Sequence, residues 1–133
     1  MTYPKELEVI LARHLASSLA IPMFLINPQA DLIYFNTLAE RILGQRYDET
    51  GVLTYAEWST LMTFRDKDGN KLVEHNNPFL VSLRTEKLIN QQLWLETINQ
   101  NKQCLTISCI PLLGQTYHFF GVLVIVESQV EAE

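Results

Sequence analysis

The side chains best suited to metal binding or thiol chemistry are three histidines and two cysteines. A protein zinc site needs several Cys or His ligands at short, regular spacings, and His14, His75 and His118 have no such spacing with another ligand. Cys104 and Cys109 lie in one short segment without a CxxC pair, which is typical of small core residues in a reducing environment. The sequence therefore predicts no metal site and a cytoplasmic location.

Motifs for catalysis are also missing from the sequence, which has no Gly-rich phosphate loop and no nucleophile elbow. Asp66 and Asp68 precede Gly69 in a way that is loosely similar to a calcium loop, but that loop needs more acids and a later glutamate. We therefore predict a non-catalytic protein. A small α+β enzyme remains an alternative if two of four polar residues converge in a cavity: His75, His118, Glu96 and Tyr34.

The composition is that of one globular domain, with 133 residues, 47% of them hydrophobic and 19% charged. The net charge of -5 and the absence of a basic run argue against binding to nucleic acid or to an anionic membrane. The longest apolar run, Phe119 to Val126, is too short to span a bilayer as a helix. The N-terminus lacks the pattern of a signal peptide.

The first third of the chain predicts a helix followed by a β-hairpin. Apolar residues recur at helical spacing up to residue 19, and Pro22 ends that pattern. Two apolar runs, 23–26 and 32–35, flank the turn residues 27–31, as in a hairpin. The spacing of Thr37 and Glu40 predicts a capping box that begins a second helix. Its apolar stripe is Leu38, Ile42 and Leu43, and Gly44 ends it.

The middle and the end of the chain predict short helices and then three strands. We expect a helix over 54–64, a polar turn over 65–70, and a helix from Pro78 that reaches Leu88. Strands follow over 93–98, 103–112 and 117–126. The last of these is apolar on both faces, whereas an antiparallel strand normally exposes one face to water. The N-terminal helix or a second subunit must therefore cover its outer face.

This order of elements resembles the PAS domain family. Residues 20–44 are similar to the opening of that family: an apolar strand, a turn at Asn27, a second strand ending at Asn36, and a helix ending at Gly44. Residues 68–84 are similar to the turn and helix that precede the last three strands, and the segment from Gly121 to Val126 to the final strand. The resemblance implies an α+β fold with a five-stranded antiparallel sheet, helices over one face and an extra N-terminal helix.

The resemblance also implies a function, that of a non-catalytic sensor or interaction module in signal transduction. We divide the chain into an N-terminal helix at 1–19, a PAS domain at 20–128 and a short tail at 129–133. Family members often continue into an output helix through an Asp-Ile-Thr-like junction, whereas this chain has Ser128-Gln129-Val130 and ends at Glu133. We therefore expect output to pass to an unidentified signalling protein by noncovalent contact.

Some PAS family members bind haem or flavin, but the residues of this chain identify no cofactor. Haem-binding members place their iron ligand near the helix that begins at Pro78, but His75 lies in a polar segment, which argues against haem. A haem or small-ligand carrier stays as an alternative. Photoreceptor members form a flavin adduct on a cysteine of the same helix, and no cysteine lies before Cys104. The sequence therefore excludes that adduct.

We expect an apolar cavity between the sheet and the helices, suited to a small apolar or aromatic ligand. Its predicted lining is Phe35, Leu38, Ile42, Phe64, Phe79, Leu83, Ile107 and Val122. A homodimer is expected through the N-terminal helix and the outer face of the last strand, with contacts from Leu7, Leu11, Leu15 and Leu19. The structural signature residues are Asn27, Asn36, Gly44 and Gly121; Asn36 is either a helix cap or the clamp between strand and helix.

Overall fold

The structure is a computed structural model that describes residues 14, 18, 20–98, 102–114 and 118–131. In that part of the chain, six strands and four helices follow one another. The strands are β1 (Met23–Ile26), β2 (Leu32–Phe35), β3 (Met62–Arg65), β4 (Ile89–Thr97), β5 (Lys102–Leu113) and β6 (Phe119–Glu131). The helices are α1 (Thr37–Leu43), α2 (Tyr47–Thr50), α3 (Tyr55–Leu61) and α4 (Pro78–Thr85).

The strands form one antiparallel sheet in the order β2-β1-β6-β5-β4-β3. β1 pairs with β6, so that Met23 lies opposite Ile125 and the first of the described strands lies beside the last. The main core joins the inner face of the sheet to the helices, with Ile42 of α1, Trp58 of α3 and Phe79 of α4 all buried in it. The predicted α+β fold is confirmed, but the sheet has six strands, one more than expected.

The additional strand is β3, which corrects the helix predicted over 54–64. That helix ends at Leu61, and the next four residues alternate between buried and half-buried side chains. Met62 and Phe64 face the core, and the strand pairs with β4. A side-chain period of two is the pattern of a strand, but four residues are too few to separate it from the end of a helix by sequence.

The start of α1 differs from the predicted capping box of Thr37 and Glu40. Asn36 is the N-cap residue, and its side chain accepts a hydrogen bond from the backbone N–H of Ala39. The Glu40 carboxylate instead accepts a hydrogen bond from the backbone N–H of Tyr47, at 2.8 Å. Gly44 ends α1 in a left-handed conformation with φ of 78°, as expected. Ile42 and Leu43 are buried as predicted, whereas Leu38 is only half-buried.

The end of α4 and the bounds of the last strands also differ from the expectations. α4 ends at Thr85, because Glu86 adopts a left-handed conformation with φ of 55°, and Leu88 is exposed. β4 begins at Ile89 rather than at residue 93, and β6 extends past Val126. In the predicted N-terminal helix, Leu7, Leu11, Leu15 and Leu19 lie outside the described residues, as do residues 99–101 and residues 115–117, the last of which begins the predicted strand over 117–126.

Both faces of β6 avoid water over residues 122–126, as the sequence predicts. Val122 and Val124 are buried in the main core, while Leu123 on the other side packs with Met23 and Leu25 of β1. We call this second group, with the half-buried Ile33, Tyr34, Ile110, Leu112 and Ile125 around it, the outer cluster. No helix in the described part of the chain is long and apolar enough to cross a membrane.

Candidate functional site

A pocket of about 540 Å³ opens between α3, β3 and the segment 71–77 that leads into α4. Its floor is apolar and aromatic, while its mouth carries charged and polar side chains. The pocket is lined by Tyr55, Trp58, Ser59, Met62, Thr63, Phe64, Lys71, Leu72, Val73, Glu74, His75 and Asn77. This volume falls within the range of small-molecule sites, about 300–1,000 Å³.

The floor of the pocket is held by the Trp58 side chain. Its indole Nε1–H donates to the carbonyl oxygen of Ala30 at 2.8 Å, which ties α3 to the β1–β2 turn. The ring makes an edge-on contact with Tyr55, with centroids 5.1 Å apart, and lies 5.8 Å from the ring of Phe79. A buried indole N–H needs a partner, and this bond fixes the position of the ring under the pocket.

Backbone hydrogen bonds hold the opposite wall, segment 71–77, in place. The N–H of Leu72 donates to the carbonyl of Phe64 at 2.7 Å, and the N–H of Asn77 to the carbonyl of Val73 at 2.8 Å. The Asn76 side chain accepts from the N–H of Val73 at 2.7 Å. These bonds hold the wall through groups of the protein itself, as in the largely pre-formed sites that small molecules usually bind.

The polar groups at the mouth come from both walls. Lys71, Glu74 and His75 are exposed there. Partial burial, and then the nearby carboxylate of Glu74, raise the pKa of the Tyr55 hydroxyl above its ordinary value. Asn77 lies deeper and is buried; its side chain accepts from the N–H of Phe79 at 2.9 Å and caps α4.

Most of the residues predicted to line an inner cavity pack against one another in the main core. Phe35, Ile42, Phe64, Phe79, Ile107 and Val122 are buried there, Leu83 packs against it, and Leu38 is half-buried. The ring centroids of Phe64 and Phe79 are 4.9 Å apart. Of the eight residues, Phe64 also lines the pocket. Their contact with a ligand stays a prediction.

Sequence reasoning missed most of the pocket lining, including Tyr55, Lys71 and Glu74. The signal was present in the polar turn over 65–70, where the Asp66 side chain accepts from the N–H groups of Asp68 and Asn70, both at 2.9 Å. A turn of this kind sends the chain back along the strand before it, and Lys71 indeed pairs with Arg65. Reading 62–65 as a strand would therefore have placed 71–77 beside it.

Asn36 joins the first strand to the first helix, and both readings of this residue apply. It is 5% exposed. Its Oδ1 accepts from the N–H of Met23 at 3.1 Å and of Ala39 at 3.0 Å, and its Nδ2 donates to the carbonyl of Ile21 at 2.7 Å. The side-chain amide of Asn36 therefore caps α1 and also links it to the start of β1.

The other signature residues have local structural roles. The Asn27 side chain accepts from the N–H groups of Gln29 and Asp31, at 3.0 and 2.9 Å, and so shapes the β1–β2 turn. Gly121 has φ of 131°, and a β-carbon there would lie 2.0 Å from the carbonyl oxygen of Ile26. Only glycine permits this close approach of β6 to β1.

The residues considered for enzyme chemistry do not meet at one place. His75 lies at the mouth of the pocket. Glu96 lies by a smaller pocket of about 190 Å³ on the β3–β4 side of the sheet, Tyr34 contacts the Tyr47 ring, and the His118 ring contacts Phe120. In the described ranges, no group of three His, Cys, Asp or Glu side chains is placed to hold a metal.

Both cysteines lie on β5, and neither lies on α4. Cys109 is buried in the main core, and this burial raises the pKa of its thiol to about 12. Cys104 is half-buried. The cysteines therefore do not fit a thiol adduct formed from α4.

Solved structures of other proteins share this architecture. The chain is similar to the PAS domain of a protein from Colwellia psychrerythraea, with 15% identity over 90% of this chain and 96% of that one, and a TM-score of 0.62. A fungal LOV domain photoreceptor covers 96% of this chain and 94% of its own at 10% identity, with a TM-score of 0.60. The light-state dimer of the fungal blue-light photoreceptor Vivid covers 82% and 78% at 10% identity, with a TM-score of 0.58.

Neither the family models nor the curated proteins contain a match to this chain. The structural likeness establishes the fold, because identities of 10–15% leave function to be argued from the site. The chain has the PAS fold, as the resemblance of residues 20–128 implied.

Proposed function

We propose that this chain is the sensory module of a signalling system. It binds a small ligand in the pocket between α3, β3 and segment 71–77, and passes that event to a protein partner by noncovalent contact. The observation that carries the proposal is the pocket itself, about 540 Å³ with an aromatic floor and a polar mouth. The fold supports it, since two of the similar structures are photoreceptors by name.

The position of β3 supports the transmission of ligand binding from the pocket to the rest of the sheet. Met62, Thr63 and Phe64 line the pocket and pair in register with Thr97, Glu96 and Leu95 of β4. A ligand that contacts β3 therefore acts on a hydrogen-bonded ladder that continues through β4 and β5 to β6. The change it produces is limited to its difference in affinity between the two arrangements of that ladder.

The half-buried members of the outer cluster, Ile33, Tyr34, Ile110, Leu112 and Ile125, support a partner on the other face of the sheet, because they leave apolar surface exposed beside the buried Met23 and Leu25. We propose that the partner is a second copy of the chain, which contacts the outer cluster and the predicted N-terminal helix with Leu7, Leu11, Leu15 and Leu19. A similar structure, that of Vivid, is a light-state dimer. The receiving signalling protein then binds the dimer.

The ligand site is tested by the fluorescence of Trp58. The chain has two tryptophans, so Trp94→Phe leaves the Trp58 signal alone. Benzyl alcohol, a neutral aromatic probe, is expected to change that signal to saturation. Val73 lines the pocket and is 45% exposed, so the larger side chain in Val73→Phe should occupy part of the site. This substitution is expected to weaken the binding of benzyl alcohol about tenfold.

Val52→Phe is the matched control, because Val52 is 52% exposed and does not line the pocket. It is expected to leave the affinity unchanged. An unresponsive Trp58, or equal effects of the two valine substitutions, would contradict a ligand site in this pocket. An absorption spectrum of the purified protein distinguishes this function from that of a haem carrier, which would show a Soret band.

The dimer is tested by light scattering. The double substitution Leu11→Glu and Leu15→Glu is expected to convert a dimer into a monomer, because buried carboxylates oppose association. Val52→Glu with Leu88→Glu adds the same charge at exposed positions and is expected to keep the dimer mass. An unchanged mass in the first variant rules out the proposed interface.

A further inference from the structure

We infer that the pocket selects a small zwitterion with an aromatic side group, the chemistry of an aromatic α-amino acid. The inference rests on the proposed function, because it names the class of ligand for the same pocket. It is carried by one cation and one anion at the mouth of the pocket, beside apolar surface that suits an aromatic ring.

Lys71 and Glu74 are the lining residues with full opposite charges. The ion pairs among the described residues are formed by Arg46, Asp48, Glu49, Arg65, Glu96 and Lys102. Lys71 and Glu74 therefore neutralise neither each other nor another group in that part of the chain. A ligand with one charge would be attracted by one of them and repelled by the other, whereas a zwitterion satisfies both.

The two charges are held at different places on the mouth. Glu74 lines the same pocket as Tyr55 of the first turn of α3, and its carboxylate raises the pKa of the Tyr55 hydroxyl. A ligand ammonium group on this side of the mouth would be attracted by the Glu74 carboxylate. Lys71 pairs through its backbone with Arg65, which places it by the end of β3.

A second donor supports the anion end of the ligand. Asn77 lines the pocket, and its Oδ1 already accepts from the N–H of Phe79. Its Nδ2 has no protein acceptor within the described ranges. The ammonium group of Lys71 and the Nδ2 of Asn77 are therefore the donors available for a ligand carboxylate.

The apolar surface of the pocket selects the side group of the ligand. Trp58, Met62 and Phe64 line the floor but are nearly fully buried. The apolar surface open to a ligand is that of the half-buried Tyr55 ring and the exposed Val73 side chain, against which an aromatic ring packs well. A small hydrophilic zwitterion such as alanine would leave that surface in contact with water, which is unfavourable in proportion to its apolar area.

Isothermal titration calorimetry of the full chain tests the inference with four compounds. L-Phenylalanine carries both charges and the ring, phenethylamine lacks the carboxylate, 3-phenylpropanoate lacks the ammonium group, and L-alanine lacks the ring. L-Phenylalanine is expected to bind at least about tenfold more tightly than phenethylamine and 3-phenylpropanoate, the difference that one charge-assisted hydrogen bond supports. It is expected to bind about tenfold more tightly than L-alanine, because its ring covers apolar surface of the pocket.

Two neutral variants assign each charge to its side chain. Lys71→Gln should reduce the advantage of L-phenylalanine over phenethylamine, leaving the part that Asn77 supplies, and Glu74→Gln should remove its advantage over 3-phenylpropanoate. Lys87→Gln, at an exposed position outside the pocket, should change neither ratio. Because all three positions are exposed, the variants are expected to fold.

Two results would overturn the inference, and they have different consequences for the proposed function. If L-phenylalanine binds no better than a single-charge analogue while benzyl alcohol still binds in a way that Val73→Phe weakens, the ligand class is wrong and the sensory pocket stands. If neither the four compounds nor benzyl alcohol binds, the proposed function fails together with the inference.

Discussion

Replacing Asn36 by alanine should be among the most destabilising single changes in this fold. The substitution removes the partner of three backbone groups: the N–H of Met23, the N–H of Ala39 and the carbonyl of Ile21. Loss of an N-cap costs about 1 kcal/mol, and each buried backbone group left without a partner costs about 1–3 kcal/mol. We therefore expect Asn36→Ala to lower the free energy of unfolding by at least about 3 kcal/mol, about 1 kcal/mol for the cap and at least about 1 kcal/mol for each of the other two groups.

Asn77→Ala is the matched control, since it removes an equally buried N-cap asparagine. Asn77 is 6% exposed against 5% for Asn36, and its Oδ1 accepts one hydrogen bond, from the N–H of Phe79. Its loss is expected to cost about 1 kcal/mol. The difference of about 2 kcal/mol between the variants measures the link from helix to strand, because the capping contribution is common to both.

Urea unfolding followed by far-ultraviolet circular dichroism measures both free energies. Native-state hydrogen exchange adds a local measurement, since the amides of Met23 and Ala39 share one acceptor and should lose protection together in Asn36→Ala. If Asn36→Ala costs no more than Asn77→Ala, the clamp contributes nothing and the reasoning is refuted.

Three further changes test the core and the sheet, each by urea unfolding. Gly121→Ala should lower the free energy of unfolding by about 3 kcal/mol or more, because its methyl group would lie 2.0 Å from the carbonyl oxygen of Ile26. The control is Gly69→Ala, at a position with φ of 84° and nothing within 4 Å, which should lower it by about 1–2 kcal/mol. Equal losses in the two variants would disprove the close contact. Thr97→Val should stabilise the fold by about 1 kcal/mol, because the buried Thr97 hydroxyl has no hydrogen-bond partner among the described residues; a loss of stability would show that the hydroxyl is satisfied. Burial raises the pKa of Cys109 from 9.0 to about 12, so the thiol ionises at a lower pH in the unfolded chain than in the folded one. The free energy of unfolding should therefore fall by about 1.4 kcal/mol per pH unit as the pH rises between these two values. Cys109→Ala should lack that slope, and an identical slope in both proteins would contradict the prediction.

The elements predicted correctly from the sequence are those in which local chemistry and tertiary packing agree. The β1–β2 hairpin has apolar strands around a polar turn, and Asn27 stabilises that turn through its own backbone neighbours. Gly44 ends α1 in the conformation that glycine favours. The two apolar faces of β6 correctly predicted burial on both sides of the sheet.

The errors occur where tertiary contacts override a local pattern. Thr37 and Glu40 have capping-box spacing, but the buried position of Asn36 makes it the cap and leaves the Glu40 carboxylate free to hold α2. Met62 and Phe64 continue the apolar pattern of α3, yet pairing with β4 draws them into a strand. The expected helix to Leu88 failed because Glu86 takes a conformation that residues other than glycine rarely adopt.

The candidate site was less accessible to sequence reasoning than the fold. Its lining comes from α3, β3 and segment 71–77, and a periodic pattern identifies only the first. Segment 71–77 has no periodicity, and hydrogen bonds to Phe64 and Val73 determine its course. His75 was noticed for its imidazole, whereas its position on the mouth depends on the return of the chain after the Asp66 turn.

The pairing of Met23 with Ile125 constrains how the molecule is assembled during translation. β4, β5 and β6 are consecutive neighbours in the sheet, so this meander can form from contacts that are close in the chain, which is fast. β1 precedes the other described strands, but its partner β6 is the last of the six to emerge from the ribosome. The edge of Met23–Ile26 that pairs with β6 therefore remains unpaired until β6 is made, and chaperone dependence should concentrate on this strand.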